Sequence, residues 1–174
     1  MWVRVKSFRC MTSISSTIEK LIKIKAEENF FYNNPELGTF VSWPIFGSKI
    51  DINTLNDTGR RDLIANYSNV PNDKLFERIP YIHRMVHPDF PPETPTAYLF
   101  HCSQGVYRAG EVAGSYVMTY QNKAMMEVYA WDQEVSERDI TLENQYGLKE
   151  YCWFLTYENG YTYLKCEQFK NRTM

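Results

Sequence analysis

The sequence lacks any apolar run of the roughly 20 residues that a membrane-spanning helix needs, and its first residues show no apolar signal segment. We therefore expect no membrane span and a cytoplasmic location, although N-x-S/T sequons at Asn56, Asn66 and Asn171 leave a secretory route open.

An excess of basic residues is also missing, since the chain has 19 Lys and Arg and 21 Asp and Glu. Nucleic-acid-binding domains normally carry that excess, so we expect no nucleic-acid partner.

The four cysteines form no CxxC pair, which argues against a finger-type zinc site, and we predict neither a metal nor a cofactor.

The chain does contain 44% hydrophobic and 16% aromatic residues, a composition that disordered chains do not have. A length of 174 residues suits one hydrophobic core. We expect a single domain over 1–174, with 1–14 as a candidate for a disordered or truncated start.

Apolar periodicity and turn residues predict alternating helices and short strands. The predicted helices cover 15–32, 58–67, 74–86, 110–120, 123–135 and 143–157, and the predicted strands cover 39–43 and 96–100. Pro80 falls inside the third helix and predicts a kink or a break there. Together these elements indicate an α/β fold in which helices flank a short, mostly parallel central sheet.

The most specific stretch joins a buried strand to a helix through a cysteine-led loop, from His101 to Glu111. Cys102 and Arg108 enclose five residues, enough for backbone N–H groups to converge on an anion at the helix N-terminus. Gly105 allows the turn, and Arg108 offers a planar fork of donors that matches phosphate oxygens. The same positive field lowers the pKa of a thiol, which favours a nucleophilic thiolate at Cys102.

This stretch resembles the signature loop of the cysteine-based protein tyrosine and dual-specificity phosphatases, His-Cys-x5-Arg with a central Gly. Gly110-Glu111, together with 150–153, looks more like a divergent protozoan-type branch of that family. The resemblance implies a phosphate-binding loop in which Cys102 forms a phosphocysteine, Arg108 binds the phosphoryl group and His101 tunes the thiol. It also implies that the backbone N–H groups of the intervening residues bind substrate: Ser103, Gln104, Gly105, Val106 and Tyr107.

Two departures from the family pattern concern turnover. Ala109 stands where the family has Ser or Thr, whose hydroxyl assists the departing thiolate. The segment 43–47 resembles the Trp-Pro-Asp loop that carries the general acid, but Ile45 replaces the Asp and the segment lies 59 residues before Cys102. At the usual spacing the nearest acid is Asp73, which we assign as the candidate general acid, with a helix cap as its alternative role.

We therefore expect phosphomonoester hydrolysis, with a phosphorylated protein, such as a phosphotyrosine protein, as substrate and partner. No metal is needed, because Arg108 and the loop supply the positive field. The alternatives are a pseudophosphatase that binds phosphorylated partners and, less favoured by the motif, a rhodanese-like sulfurtransferase. By position, Cys152 and Cys166 match cysteines of the related branch, and either a disulfide or two buried thiols is compatible with the sequence.

Overall fold

The computed structural model describes residues 4–11, 18–67, 73–90, 92–103, 105–137 and 140–169. Three parallel strands form the sheet in the order β2-β1-β3. They are β1 (Arg4–Met11), β2 (Gly38–Pro44) and β3 (Thr96–His101). The expected α/β class, with a small parallel sheet flanked by helices, is confirmed.

The central strand β1 comes from the segment that the sequence analysis set aside as a disordered or truncated start. It mixes charged, polar and apolar residues, and two of the charged ones have partners on neighbouring elements. Lys6 Nζ donates to the Tyr81 hydroxyl at 3.3 Å, and Arg9 forms an ion pair with Glu27 at 2.8 Å. Phe8 is fully buried between the aromatic rings of Trp43 and Phe100. The expectation of a disordered segment is therefore corrected over 4–11.

The described part of the chain contains six α-helices, of which α1 and α4 pack on the sheet: α1 (Ile18–Asn33), α2 (Asp57–Ala65), α3 (Leu75–Val86), α4 (Tyr107–Tyr120), α5 (Met125–Ser136) and α6 (Leu142–Asn159). Every predicted helix is present. Helix α3 continues through Pro80 without a break. Helix α4 begins three residues earlier than predicted, directly after the cysteine-led loop, because Val106 and Tyr107 already take part in its first turn.

The C-terminal part of the domain is a helical layer built on α6, which packs against α4 and α2. A disulfide joins Cys152 of α6 to Cys166, with a Cα–Cα distance of 5.8 Å and a sequence separation of 14. Both cysteines are almost fully buried. Of the two arrangements that the sequence allowed, the structure has the disulfide. No helix within the described residues is long and apolar enough to cross a membrane.

Candidate active site

The cysteine-led loop lies at the carboxyl end of β3, where parallel α/β sheets place their ligand sites. Cys102 follows the last residue of β3 and is 6% exposed. Gly105 has φ of +75°, in the left-handed region that glycine adopts without strain, and apart from its own chain neighbours no described residue has an atom within 4 Å of the position of a β-carbon there. Gln104 lies outside the described residues. The loop then leads directly into α4, as the motif predicts.

Arg108 connects the two ends of this loop to the central strand. Its Nη1 donates to the carbonyl oxygen of Cys10 at 3.1 Å, and its Nη2 donates to Ser103 Oγ at 2.9 Å. The guanidinium is therefore held between the end of β1 and the start of the loop, which restricts the rotation of a long side chain. A guanidinium group fixed in this way suits the binding of two oxygens of one anion.

His101 belongs to a polar network behind the loop. Its Nε2 lies 2.8 Å from Glu27 Oε1 and 3.2 Å from Ser7 Oγ, and the other oxygen of Glu27 accepts from Arg9 at 2.8 Å. Burial alone would raise the pKa of Glu27, but the hydrogen bonds from Ser7, His101 and Arg9 outweigh it and hold that pKa below its usual value. The ionised Glu27 therefore fixes the imidazole next to the cysteine.

Glu27 was not identified from the sequence. It lies in a charged stretch of α1 that looks like any solvated helix face, and only the packing of α1 against β1 reveals its partners. The register of the sheet is decisive here, because Arg9 of β1 pairs with His101 of β3. No local motif contains that information.

A second thiol lies close to the candidate nucleophile, on the neighbouring strand. Cys10 follows Arg9 on β1, as Cys102 follows His101 on β3, and Cys10 is 1% exposed. Burial, reinforced by the nearby charges of Cys102 and Glu111, raises the pKa of Cys10 to about 12. Cys10 is therefore a protonated, inert thiol at neutral pH.

Asp73, the candidate general acid, is 3% exposed and bonded through both carboxylate oxygens. Its Oδ1 accepts from the backbone N–H of Phe46, and its Oδ2 accepts from that of Gly47 at 2.7 Å. The structure thus joins the two segments that the sequence analysis considered separately for the acid. In this position Asp73 anchors the chain after β2, and its role as the acid stays a prediction.

Glu111 of α4 completes a buried carboxyl cluster with Asp73. Its Oε2 accepts from Asn144 Nδ2 at 2.5 Å, and its Oε1 receives no donor within the described residues. Burial and the adjacent Asp73 raise the pKa of Glu111 well above its usual value, and burial raises that of Asp73. A protonated Glu111 donates to Asp73 instead of accepting, so the pair holds one proton.

Glu150 of α6 is the third member of this cluster. Burial raises its pKa to about 7, although a hydrogen bond from Ser48 favours the ionised form. The cluster therefore joins the chain after β2 to both α4 and α6. No group of three or more His, Cys, Asp or Glu in the described ranges is arranged to hold a metal ion.

No protein-family model and no curated protein matches this sequence. Among solved structures, the chain is similar to the core catalytic domain of the PP-IP phosphatase SIW14 from S. cerevisiae, crystallised in complex with citrate. The two are 13% identical with a TM-score of 0.44, and the match covers 90% of this chain and 76% of that one.

Proposed function

We propose that the protein hydrolyses phosphomonoesters, with phosphotyrosine or another phosphorylated protein side chain as substrate. The observation that carries the proposal is the course of the chain from β3 through Cys102 and the five-residue loop into α4, with Arg108 fixed across it. The proposal combines the Cys102 thiol and the Arg108 guanidinium at one helix N-terminus with the backbone N–H donors that the motif predicts there.

The chemistry has two steps. The thiolate of Cys102 attacks phosphorus, the bond to the ester oxygen breaks, and that oxygen takes a proton from Asp73, in its predicted role as the acid, or from water as the alcohol leaves. Water then attacks the phosphocysteine, the sulfur–phosphorus bond breaks, and inorganic phosphate and the thiolate are released. Arg108 and the loop N–H groups of Ser103, Gly105, Val106 and Tyr107, with Gln104 as predicted from the motif, bind the phosphoryl oxygens in both steps.

Binding of phosphorylated partners without turnover is the second candidate function. Two observations favour it: Ala109 offers no hydroxyl to the departing thiolate, and both oxygens of Asp73 are already bonded to backbone N–H groups. A missing acid costs about 10²–10⁴-fold in rate while leaving anion binding intact. The two candidates therefore differ in turnover and agree on the site.

Turnover of para-nitrophenyl phosphate tests the proposal, since its good leaving group scarcely needs an acid. We expect a pre-steady-state burst, because hydrolysis of the phosphocysteine is slowed by Ala109, and acid-quenched protein should carry a phosphoryl group on Cys102 by mass spectrometry. Ala109→Thr should raise the steady-state rate and shrink the burst. Arg108→Ala should abolish turnover, and Arg108→Lys should restore little, because a point charge lacks the fork.

The matched control is Cys10→Ala, which removes the neighbouring thiol and leaves the loop intact. Turnover should persist in Cys10→Ala and disappear in Cys102→Ser. Vanadate or phosphate binding by a protein with no turnover would favour the second candidate function. Equal loss in the two cysteine variants, or anion binding that survives Arg108→Ala, would contradict the assignment of the site.

A further inference from the structure

A groove separates α4 from α5 beside the cysteine-led loop. It encloses about 360 Å³. The loop contributes Gly105 and Val106, α4 contributes Gly110, and α5 contributes Trp131, Asp132 and Val135. The groove therefore begins where the backbone of the proposed phosphate-binding loop ends.

Asp132 is the charged residue in this groove that has no hydrogen-bond partner for one of its oxygens. The residue is 7% exposed, and its buried Oδ2 has no partner within the described residues. Its Oδ1 lies against Gly110, 2.5 Å from the position of a β-carbon on that glycine. Buried polar atoms in folded proteins are nearly always satisfied, so an unsatisfied carboxylate oxygen at a groove points to a donor from outside.

The surroundings of Asp132 favour a cation on an apolar stem. Helix α5 carries Glu127, Asp132 and Glu134 and contains no Lys, Arg or His. Trp131 is 40% exposed and Val135 is 67% exposed, which leaves apolar surface at the groove. Methylene chains of Lys and Arg pack on such surface, and an indole face attracts their cationic ends.

We propose that this groove binds the side chain of a lysine or arginine that flanks the phosphorylated residue of a peptide substrate, with Asp132 accepting from its ammonium or guanidinium group. The inference rests on the proposed function and adds a substrate preference to it. The groove and the loop share Gly105 and Val106, so a peptide with its phosphate in the loop passes the groove with its next residues.

Asp132 lies beside Gly110, which is four residues after Val106 and therefore about 6 Å along α4 at a rise of 1.5 Å per residue. The long side chain of a substrate residue next to the phosphorylated one spans a separation of that size.

Phosphotyrosine peptides in which one lysine is moved through the flanking positions test the proposal, each paired with a norleucine peptide that keeps the stem and lacks the charge. We expect kcat/KM to favour lysine about tenfold or more at one position, the order expected for a hydrogen bond to a charged group. Asp132→Asn should remove that preference. Glu134→Gln removes one negative charge from an exposed site on α5. This control variant should retain the preference for lysine.

Para-nitrophenyl phosphate, which has no flanking residue, should be hydrolysed equally by wild type, Asp132→Asn and Glu134→Gln. Val135→Lys, which places a cation in the groove, should selectively weaken the lysine peptides and serves as the second variant if Asp132→Asn does not fold. If catalysis is absent, binding of the same peptides to Cys102→Ser is measured by fluorescence anisotropy.

Hydrolysis of para-nitrophenyl phosphate without any lysine preference would overturn this inference and leave the proposed function standing. A preference that is equally lost in Glu134→Gln would also overturn it, since a general acidic field would then be the cause. Absence of turnover together with absence of phosphopeptide binding would overturn both proposals.

Discussion

Buried carboxyls flank the beginning of α4 on two sides, and the two sides differ in their partners. On one side Glu111 meets Asp73, Asn144 and the chain after β2: both oxygens of Asp73 and one of Glu111 accept hydrogen bonds, and the other oxygen of Glu111 receives no donor but belongs to a carboxyl pair that shares one proton. On the other side Asp132 faces a groove with an unsatisfied oxygen. Burial raises the pKa of these carboxyls on both sides.

The difference shows that burial and a raised pKa do not by themselves identify a functional acid. Asp73 was selected by its spacing from Cys102, but its contacts are those of an anchor for the chain after β2. Asp132 has no sequence motif, yet its unsatisfied oxygen needs a partner. Hydrogen-bond partners, which depend on the fold, separate the two roles.

The largest expected effect is on stability. Asp73→Ala removes the acceptor for two backbone N–H groups and the partner of the Glu111 proton, so we expect a loss of about 3–5 kcal/mol in the free energy of unfolding. Asp132→Ala removes a group that lacks a partner for one oxygen, so it should cost at most about 1 kcal/mol and should stabilise the protein above about pH 6, where the buried carboxyl is ionised. Urea denaturation of both variants measures this, and equal losses would break the comparison.

The pH dependence of stability should show the next largest effect. Burial raises the pKa of Asp132 to about 6 and that of Glu150 to about 7. At these two groups the folded state then binds more protons than the unfolded chain, so their contribution to stability is full below the unfolded pKa and is lost as the pH rises to the folded pKa.

We expect the unfolding free energy to decline between about pH 4 and 7, and Asp132→Asn to remove on the order of 2 kcal/mol of that decline, ending near pH 6. The decline that belongs to Glu150 should remain up to about pH 7. Urea denaturation at successive pH values measures both. An unchanged profile for Asp132→Asn would show that this carboxyl is solvated and not buried.

Adding a methyl group at Gly147 and at Gly110 compares the two carboxyl sites directly, and the expected effect on stability is the smallest of those predicted. A methyl group on Gly147 would strike Glu111 Oε1 and come within 3.0 Å of the Gly47 Cα, whereas one on Gly110 would meet Asp132 Oδ1 at 2.5 Å. Because Glu111 is hydrogen-bonded to Asn144 and buried, and Asp132 lines the groove, we expect Asp132 to give way more easily than Glu111.

Gly147→Ala should therefore cost about 2 kcal/mol, while Gly110→Ala should stay within about 1 kcal/mol because the helix gains from alanine. Thermal or urea unfolding of the two variants measures the difference. A larger loss for Gly110→Ala would mean that Asp132 is fixed in place. It would then be a structural residue like Asp73.

Local sequence patterns predicted β3, the cysteine-led loop and all the helices, because each of these is specified by residues close together in the sequence. They missed β1, since a central strand normally reads as an apolar run, and here Lys6 and Arg9 interrupt it. Their charges are accommodated by Tyr81 and Glu27, which are remote in sequence.

The residues of the candidate site also fall into two groups, those that the sequence predicted and those that only the structure reveals. Cys102 and Arg108 were selected because the motif places both on one short loop, and the structure puts that loop between β3 and α4. Glu27, Glu111 and Asp132 were not identified, because their contacts come from packing between elements far apart in the chain. Spacing along the sequence carries no information about such contacts.

The Cys152–Cys166 disulfide has a practical consequence for experiments on Cys102. Reductants act by thiolate attack on an accessible sulfur, and both bonded sulfurs lie in residues that are at most 1% exposed. A reducing buffer that keeps Cys102 as a thiol should leave the disulfide of a folded molecule intact, but it will open the disulfide of any chain that unfolds. The state of the disulfide therefore reports whether a chain has unfolded in that buffer. Alkylation followed by a count of the modified cysteines measures it.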